Sequence, residues 1–454
     1  MCDPTSDIIS HVPGNILDKI LMCLPLQDAV RTSILSRKWR YAWVKLPQLV
    51  FDQTFYRDLP KATHTKLMMI IYQVMLHHRG PIMKFTLSLS RLESCSEIDL
   101  LILFVSSNHI QDFTLHISKG ELYKLPSSLY SCLKLRHLNL RSCILKPPPG
   151  FEGFTGLISL ELYDVVIADD VLSSLISNCP LLEDLRLHTS TSLHSLEVVG
   201  PNLKYVRCDG HFRSLCFTNT SRLAKVFMYL KGVRKELFCS EEETSSVVML
   251  LESVPVIESL GLDFCYVKGI AASVLPARFP TTLNNLKKIR LYEICFREQD
   301  EVSVLICLIR SSPNLEKITI EVSGDRFNSF LCLLCKCRIR RLRQFVILLS
   351  KFQAFPGATS AIPMDIDFLE MHGCSDVSLN QLREVDMENV SGTKPELEFI
   401  KFLLAKSPML DTMLIKLKSQ SVADELQIVK ELTRLRRASP QAEMNFGSRD
   451  VQVQ

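Results

Sequence analysis

The chain is 454 residues long, 47% of them apolar, and its 53 basic and 49 acidic side chains leave a net charge of only +4. That composition excludes a disordered polymer and predicts a large buried core spread over two or three domains. It also excludes a global field that would draw the chain to nucleic acid or to an anionic membrane, so any partner must be recognised locally.

The opening MCDPTSDIIS carries acids and a proline where a secretory leader needs a basic start and an apolar run, and no later stretch has the length of a membrane span. We therefore expect a soluble, intracellular protein of the nucleus and/or cytoplasm. In VPGNILDKILMCLPLQDAVRTSILSRKWRYAW, Val12 to Trp43, the residues Ile16, Leu17, Ile20, Leu21 and Leu24 recur at helical spacing between Pro13 and Pro25. Asp28 suits the N-cap of a second short helix, and Ser36 that of a third carrying Trp39 and Trp43 on one face. Three helices so short cannot close a core with one apolar stripe each, so the segment must dock on its own chain or on another protein.

The order Val-Pro, Ile-Leu, Leu-Pro, Ala-Val-x-Thr-Ser-x-Leu-Ser-Arg-Lys-Trp-Arg and a second Trp resembles the F-box of plant F-box proteins, with Val12 where that family usually has leucine. The resemblance implies a three-helix module over 8–52 that binds the small Skp-family adaptor of cullin-based ubiquitin ligases. It implies that Val12, Pro13, Ile16, Leu17, Ile20, Leu21, Leu24 and Pro25 meet the adaptor, and that Trp39, Trp43 and Leu35 form the core of the module. An ordinary helical subdomain packed on its own chain is the alternative.

Residues 53–80 read as a linker and a first helix. Over 81–350 the form Leu-x-x-Leu-x-Leu recurs, at Leu135-Leu138-Leu140, Leu157-Leu160-Leu162 and Leu182-Leu185-Leu187, then at Ile257-Leu260-Leu262, Leu286-Ile289-Leu291, Leu315-Ile318-Ile320 and Leu342-Phe345-Ile347. First positions lie 22 and 25 residues apart in the early set and 29, 29 and 27 in the later one, an irregular leucine-rich repeat. Degenerate units begin at Ile110, Leu203 and Leu223; the last two are 20 apart, which leaves no room for a full outer helix. The stretches DDVLSSLISNCP, TSSVVMLLESVP and DEVSVLICLIRSSP suit amphipathic helices ended by proline. Such units must stack, which predicts an α/β fold: an N-terminal three-helix F-box and an irregular leucine-rich-repeat solenoid, with a curved parallel sheet inside and helices outside.

Residues 351–374 break the period and read as a loop or insertion. ELEFIKFLLAKSPML and its flanking strands resemble the FBD region of plant F-box proteins, assigned to 375–438 with a last helix over Ala423–Ala438, and 439–454 reads as a frayed tail. On the repeat strands the residues beside the buried leucines face outward: His137, Arg141, Tyr163, Arg186, His188, Arg290, Tyr292, Glu384, Asp386 and Glu388 are the candidate target-binding set. Their mixed charges suit a protein partner better than a phosphate track, and Lys288, Arg290 and Lys317 against the three acids predict a polarised face.

The sixteen cysteines are scattered, and Cys143, Cys179 and Cys265 stand where an apolar residue is expected. Cys332, Cys335 and Cys337 lack a fourth ligand at metal spacing, and the basic run Lys336–Gln344 reads as a solvated loop. No cofactor, metal or catalytic site is expected. The resemblance implies a substrate receptor whose partners are the adaptor, through it a cullin scaffold, and a target protein, with no nucleic acid or membrane; a repeat scaffold acting without a ubiquitin ligase is the alternative.

Overall fold

The structure, a computed structural model, describes residues 12–56, 63–89, 92–189, 193–210, 212–230, 254, 256–272, 279, 282–323, 377–418 and 422–447. The expected sites at Cys332–Cys337, Lys336–Gln344, Leu342–Ile347 and 351–374, and most of the helix expected in TSSVVMLLESVP, lie outside these residues. The chain divides into two compact units, Met1–Arg234 and Lys235–Gln454.

In the N-terminal unit, α1 (Gly14–Met22) and α2 (Leu26–Arg31) each start directly after a proline, Pro13 and Pro25, whose fixed φ and missing N–H suit a helix start. Asp28 is therefore not the cap of α2 but lies inside its first turn, where it pairs with Arg31 at 3.2 Å. The third α-helix expected from Ser36 is replaced by turns and a 3-10 helix, Trp43–Lys45. Arg40 N bonds Ser36 O, but the bonds then tighten to Ala42 N on Trp39 O and Lys45 N on Ala42 O. Ser36 caps nothing: its buried hydroxyl has no hydrogen-bond partner.

Strand β1 (Gln48–Phe51) falls inside the range assigned to the F-box, yet it begins the sheet of this unit by pairing in parallel with β2 (Lys84–Ser88). Between them run α3 (Gln53–Tyr56) and α4 (His64–His77); beyond them come α5 (Glu97–Ser106), β3 (Asp112–His116), β4 (Tyr123–Lys124), β5 (His137–Arg141), β6 (Cys143–Ile144), β7 (Ser159–Tyr163), α6 (Asp169–Ser177) and β8 (Asp184–His188). After β9 (Leu193–Val199), β10 (Tyr205–Asp209) and β11 (Phe212–Thr218), the strand β12 (Lys225–Tyr229) is the last described in this unit. The main sheet runs β1-β2-β3-β5-β7-β8-β10-β12, every neighbouring pair parallel.

The strands begin on a repeated device. Pro47 O accepts from Met83 N and Lys84 N at 2.8 and 3.0 Å, Met83 O from Gln111 N and Asp112 N, and Gln111 O from Arg136 N and His137 N. Each strand thus starts where the previous repeat offers a carbonyl, which satisfies backbone groups that a lone parallel strand leaves open. One face of the strands buries Leu49, Phe51, Phe85, Phe113 and Leu138, while α4 buries Leu67 and Ile71 and α5 buries Ile98 and Ile102. The rings of Phe51, Phe85 and Phe113 follow one another at 6.1 and 5.8 Å.

Where the short repeats exclude an outer helix, β9 and β11 form a separate two-stranded parallel sheet. Ser195 N and Glu197 N of β9 bond Asp169 Oδ2 and Ser173 Oγ of α6, so this pair takes the helix's place on the outer layer. A second small pair, β4 with β6, ties one loop to the next.

The C-terminal unit repeats the scheme with β13 (Ser259–Asp263), α7 (Phe264–Ala272), β14 (Lys288–Ile294), α8 (Gln299–Ser311), β15 (Lys317–Val322), β16 (Glu384–Val390), α9 (Lys394–Lys406), β17 (Thr412–Leu417), α10 (Val422–Thr433) and β18 (Glu443–Gly447). Its strands pair in parallel in chain order. β15 bonds β16 directly, Lys317 beside Glu384. Two corrections follow at its end. The last helix stops at Thr433 rather than Ala438, and the segment read as a frayed tail holds β18, which pairs with β17 because Asp411 O accepts from Glu443 N in the same carbonyl device. Cys143 and Cys179 are buried, whereas Cys265 is half-buried. Burial pushes the Cys143 thiol up to about 12 and that of Cys179 to about 11. Among the described residues no helix is long and apolar enough to cross a membrane, and no group of three His, Cys, Asp or Glu side chains is placed to hold a metal.

The F-box segment is joined to the first repeat at one crowded point. Arg79 N bonds Val44 O at 2.8 Å, the buried His78 ring bonds Leu46 O through Nε2 at 2.8 Å, and a Cβ on Gly80 would stand 2.7 Å from Lys45 O and 2.9 Å from Lys45 Cα. Both obstacles are backbone, so Gly80→Ala should cost about 1–3 kcal/mol, read as a lowered Tm of the purified chain. Burial lowers the pKa of His78 below its ordinary value, against the opposing effect of the Leu46 carbonyl. The unfolded chain then takes up a proton near pH 6.5 that the folded chain refuses, so wild type should lose stability relative to His78→Gln as pH falls through that value. Parallel pH–Tm curves for the two proteins would contradict it.

Candidate interaction surfaces

Helix α1 divides its apolar residues between two environments. Leu17 and Leu21, 3% and 0% exposed, pack inward with Leu26, Ala29, Trp39, Val44 and Leu46. Ile16 and Ile20 remain 46% and 38% exposed, one turn apart on the other side, with Pro13 and Pro25 also exposed and Val12 and Leu24 half-buried. Leu17 and Leu21 are therefore core rather than contact residues. Trp39 is buried and Trp43 half-buried, but Leu35, expected in the core, is 46% exposed beside Ile34 at 89%. The 3-10 helix Thr32–Ile34 that follows α2 turns both side chains outward, a change of period that the reading as regular helices missed. Tyr41 is also exposed. Large apolar side chains left in water this densely, on a module whose core closes without them, mark an interaction surface.

The outward face of the N-terminal sheet carries a connected ladder. Ser88 Oγ lies 2.9 Å from His116 Nδ1, His116 Nε2 lies 2.7 Å from Asn139 Oδ1, and Asn139 Nδ2 donates to Glu161 Oε2 at 2.5 Å. Glu161 pairs in turn with Arg186 at 3.0 Å, which donates to both oxygens of Asp184 and lies over the ring of Tyr205. One row along, Tyr163 stacks on His188 at 4.1 Å, His188 Nδ1 meets Asp209 at 2.8 Å, and Arg207 donates to both oxygens of that carboxylate while covering Tyr229. Arg141 also lies over the Tyr163 ring, 5.5 Å from its centroid. Asp209 is almost wholly buried; burial would raise its pKa, but the bonds from His188 and Arg207 and their charge hold it down at about 2. Of the expected residues, Arg141, Tyr163, Arg186 and His188 meet in this ladder. His137 stands apart, exposed and 3.8 Å from Asp112.

On the C-terminal unit the expected polarity is not what the side chains present. Lys317 bonds both Glu384 and Asp386, at 2.7 and 2.8 Å, and Lys416 bonds Glu388 at 2.9 Å. Neighbouring strands thereby engage all three acids with two lysines, and Lys317 leaves the basic group to Lys288 and Arg290, whose guanidinium lies 3.5 Å from the Tyr292 hydroxyl. The ladder residues Tyr205, Arg207, Asp209 and Tyr229 were absent from the sequence-derived set. The signal was present, since YVRCD and KVFMY alternate around buried Val206, Cys208, Val226 and Met228 as the clearer repeats do.

An F-box domain model matches residues 9–50, and a repeat model described as "FBD-associated F-box protein At5g56370, LRR repeats" matches 99–320. The Arabidopsis thaliana F-box/FBD/LRR-repeat protein At1g13570 is 35% identical over 443 residues, 97% of this chain and 98% of that protein. Two further A. thaliana proteins, the F-box/LRR-repeat protein At3g03360 and the F-box/FBD/LRR-repeat protein At3g52680, are 26% and 27% identical, covering 70% and 71% of this chain and 71% and 72% of their own.

Asp209 is the ladder's buried charge, so Asp209→Ala should destabilise the chain by about 3–5 kcal/mol at pH 7 through stranding Arg207 and His188. Because its folded pKa is depressed, the carboxylate's contribution is present above roughly pH 4 and fades as pH falls toward 2. Urea melts of wild type and variant should therefore converge in acid; a difference that stays constant with pH would remove the charge from the explanation.

Proposed function

The chain belongs to the plant F-box/FBD/leucine-rich-repeat family, and on that premise we propose that it is the substrate-recognition subunit of an SCF-type cullin ubiquitin ligase. The F-box module binds a Skp-family adaptor, and through it a cullin scaffold, while the outward sheet face holds a target protein. The receptor makes no bond. It raises the effective concentration of target lysines at a conjugating enzyme carried elsewhere in the assembly. The observation that carries this reading is the exposed apolar side of α1 on a module whose own core is complete without it. A nuclear and/or cytoplasmic setting is part of the same proposal. The rival, a repeat scaffold acting without a ligase, predicts no adaptor binding.

Adaptor capture by purified protein separates the two. Changing Ile16 and Ile20 together to Ala should weaken capture by about 2–4 kcal/mol, since each such side chain contributes roughly 1.5–3 kcal/mol when buried, and should leave Tm unchanged. Leu21→Ala and Trp39→Ala should instead lower stability, by about 2–5 kcal/mol, because they open the core. Equal capture by wild type and the Ile16/Ile20 double variant would remove the adaptor from this face.

A further inference from the structure

The ladder holds three guanidiniums, and two of them have a carboxylate on their own strand: Arg186 has Asp184, two residues before it, and Arg207 has Asp209, two residues after it. Each is thereby held over the tyrosine of the next strand, Tyr205 or Tyr229, 5.1 Å from its centroid. Arg141 also lies over a tyrosine of the next strand, Tyr163, here its direct register partner, but has no such acid. Two residues before it stands Asn139, whose amide is engaged by His116 and Glu161. Among the described residues no carboxylate pairs with Arg141, and its side chain is exposed. The Tyr163 ring has Arg141 5.5 Å from its centroid and His188 stacked at 4.1 Å, while its hydroxyl has no hydrogen-bond partner among the described residues. A guanidinium and a phenol, both donors, thus stand together at the one place in the ladder where an acid is missing.

We propose that an acidic segment of the target protein supplies the missing carboxylate, accepting from the Arg141 guanidinium and the Tyr163 hydroxyl. The proposal rests on the sheet face being the target-binding surface. Arg–carboxylate geometry favours paired N–H donors, and a guanidinium already oriented on a ring loses less freedom on binding than one in solution. A carboxylate is favoured over a phosphoryl group by charge balance. The neighbouring acids Glu161, Asp184 and Asp209 already share Arg186 and Arg207 between them, so Arg141 is the guanidinium left for an incoming anion. A doubly charged group would meet the acids of the two flanking rows with nothing to offset it.

The probe is a displayed library of random linear peptides selected on the full-length chain, with adaptor capture measured on the same preparation. Selected peptides should be enriched in Asp or Glu at a fixed position. Arg141→Gln should weaken the selected peptide at least about tenfold, Arg141→Lys should restore part of the affinity, and Tyr163→Phe should cost about two- to fivefold. A peptide with its acid changed to the amide should bind wild type and Arg141→Gln alike, the non-additivity expected of a direct pair. Affinity should also fall as salt rises. Peptides without an enriched acid, unchanged binding to Arg141→Gln, loss on Arg290→Gln instead, binding only of a phosphorylated version of the peptide, or no selection at all would each overturn the assignment. Failure of adaptor capture with acid-dependent peptide binding intact would overturn the receptor reading and leave this site standing.

Discussion

The carbonyl of Pro47 is where the N-terminal unit begins as a sheet. A parallel strand cannot bond to itself, and the first strand of any repeat array leaves one row of amides and carbonyls open. Here the F-box segment ends by presenting Pro47 O to Met83 N and Lys84 N, the geometry in which Met83 O then receives Gln111 N and Asp112 N. The F-box module is thus the first rung of the ladder rather than a bead on a linker. The bonds of Arg79 N and the His78 ring to Val44 O and Leu46 O, with the close approach that only glycine allows at position 80, fix the junction further. For the proposed receptor role this matters mechanically. Whatever is held on the N-terminal sheet face keeps a set orientation to whatever is held on α1, and orientation is the resource such a protein contributes.

The same constraint explains how tolerant the array is between its rungs. A strand needs only an acceptor fork at its start and apolar residues on one face, so the outer layer is free to be a helix, as with α5 and α6, or a pair of strands, as with β9 and β11. Apart from Asp209, the buried carboxylates among the described residues serve this layer. Asp263 accepts from Cys265 N and Tyr266 N at the start of α7, Glu301 accepts from Cys295 N, and Glu396 accepts from Ser391 N, Gly392 N and Thr393 N before α9. Each satisfies amides at a turn that would otherwise be buried open.

Much of this was legible in the sequence, because the buried face of a strand leaves a period of two that survives degeneration. Leu138, Leu140, Leu160, Leu162, Val385 and Met387 all lie where the repeat form places them. Three kinds of feature were not legible. The F-box core was misread at Leu17, Leu21 and Leu35, because in so short a module adjacent apolar residues of one helix divide between core and solvent, and a 3-10 turn shifts the period by a fraction of a residue. β18 was hidden since its residues are exposed or half-exposed on both faces at a sheet edge and show no alternation of buried apolar residues. The third kind is cross-strand pairing. Lys317 lies 67 residues from Glu384, and no local pattern announces that the two will be in register.

The two surfaces differ in a way that fits different classes of partner. The exposed side of α1 is apolar, with few groups that demand a matched donor or acceptor, and binding there is set by area and fit; that suits a partner that is always the same. On the sheet face nearly every polar group is already bonded in plane: His116 to Ser88 and Asn139, Arg186 to Glu161 and Asp184, Arg207 to Asp209. Long side chains held this way lose little further rotamer freedom when a partner arrives, freedom that otherwise amounts to roughly 1.5–2 kcal/mol for each arginine. Such a face also resists wrong partners, since a ligand that buries the ladder without matching its few open donors strands them. Discrimination then falls to those few donors, Arg141 and the Tyr163 hydroxyl among them, and a change at one such position alters the choice of target without disturbing the rungs beneath.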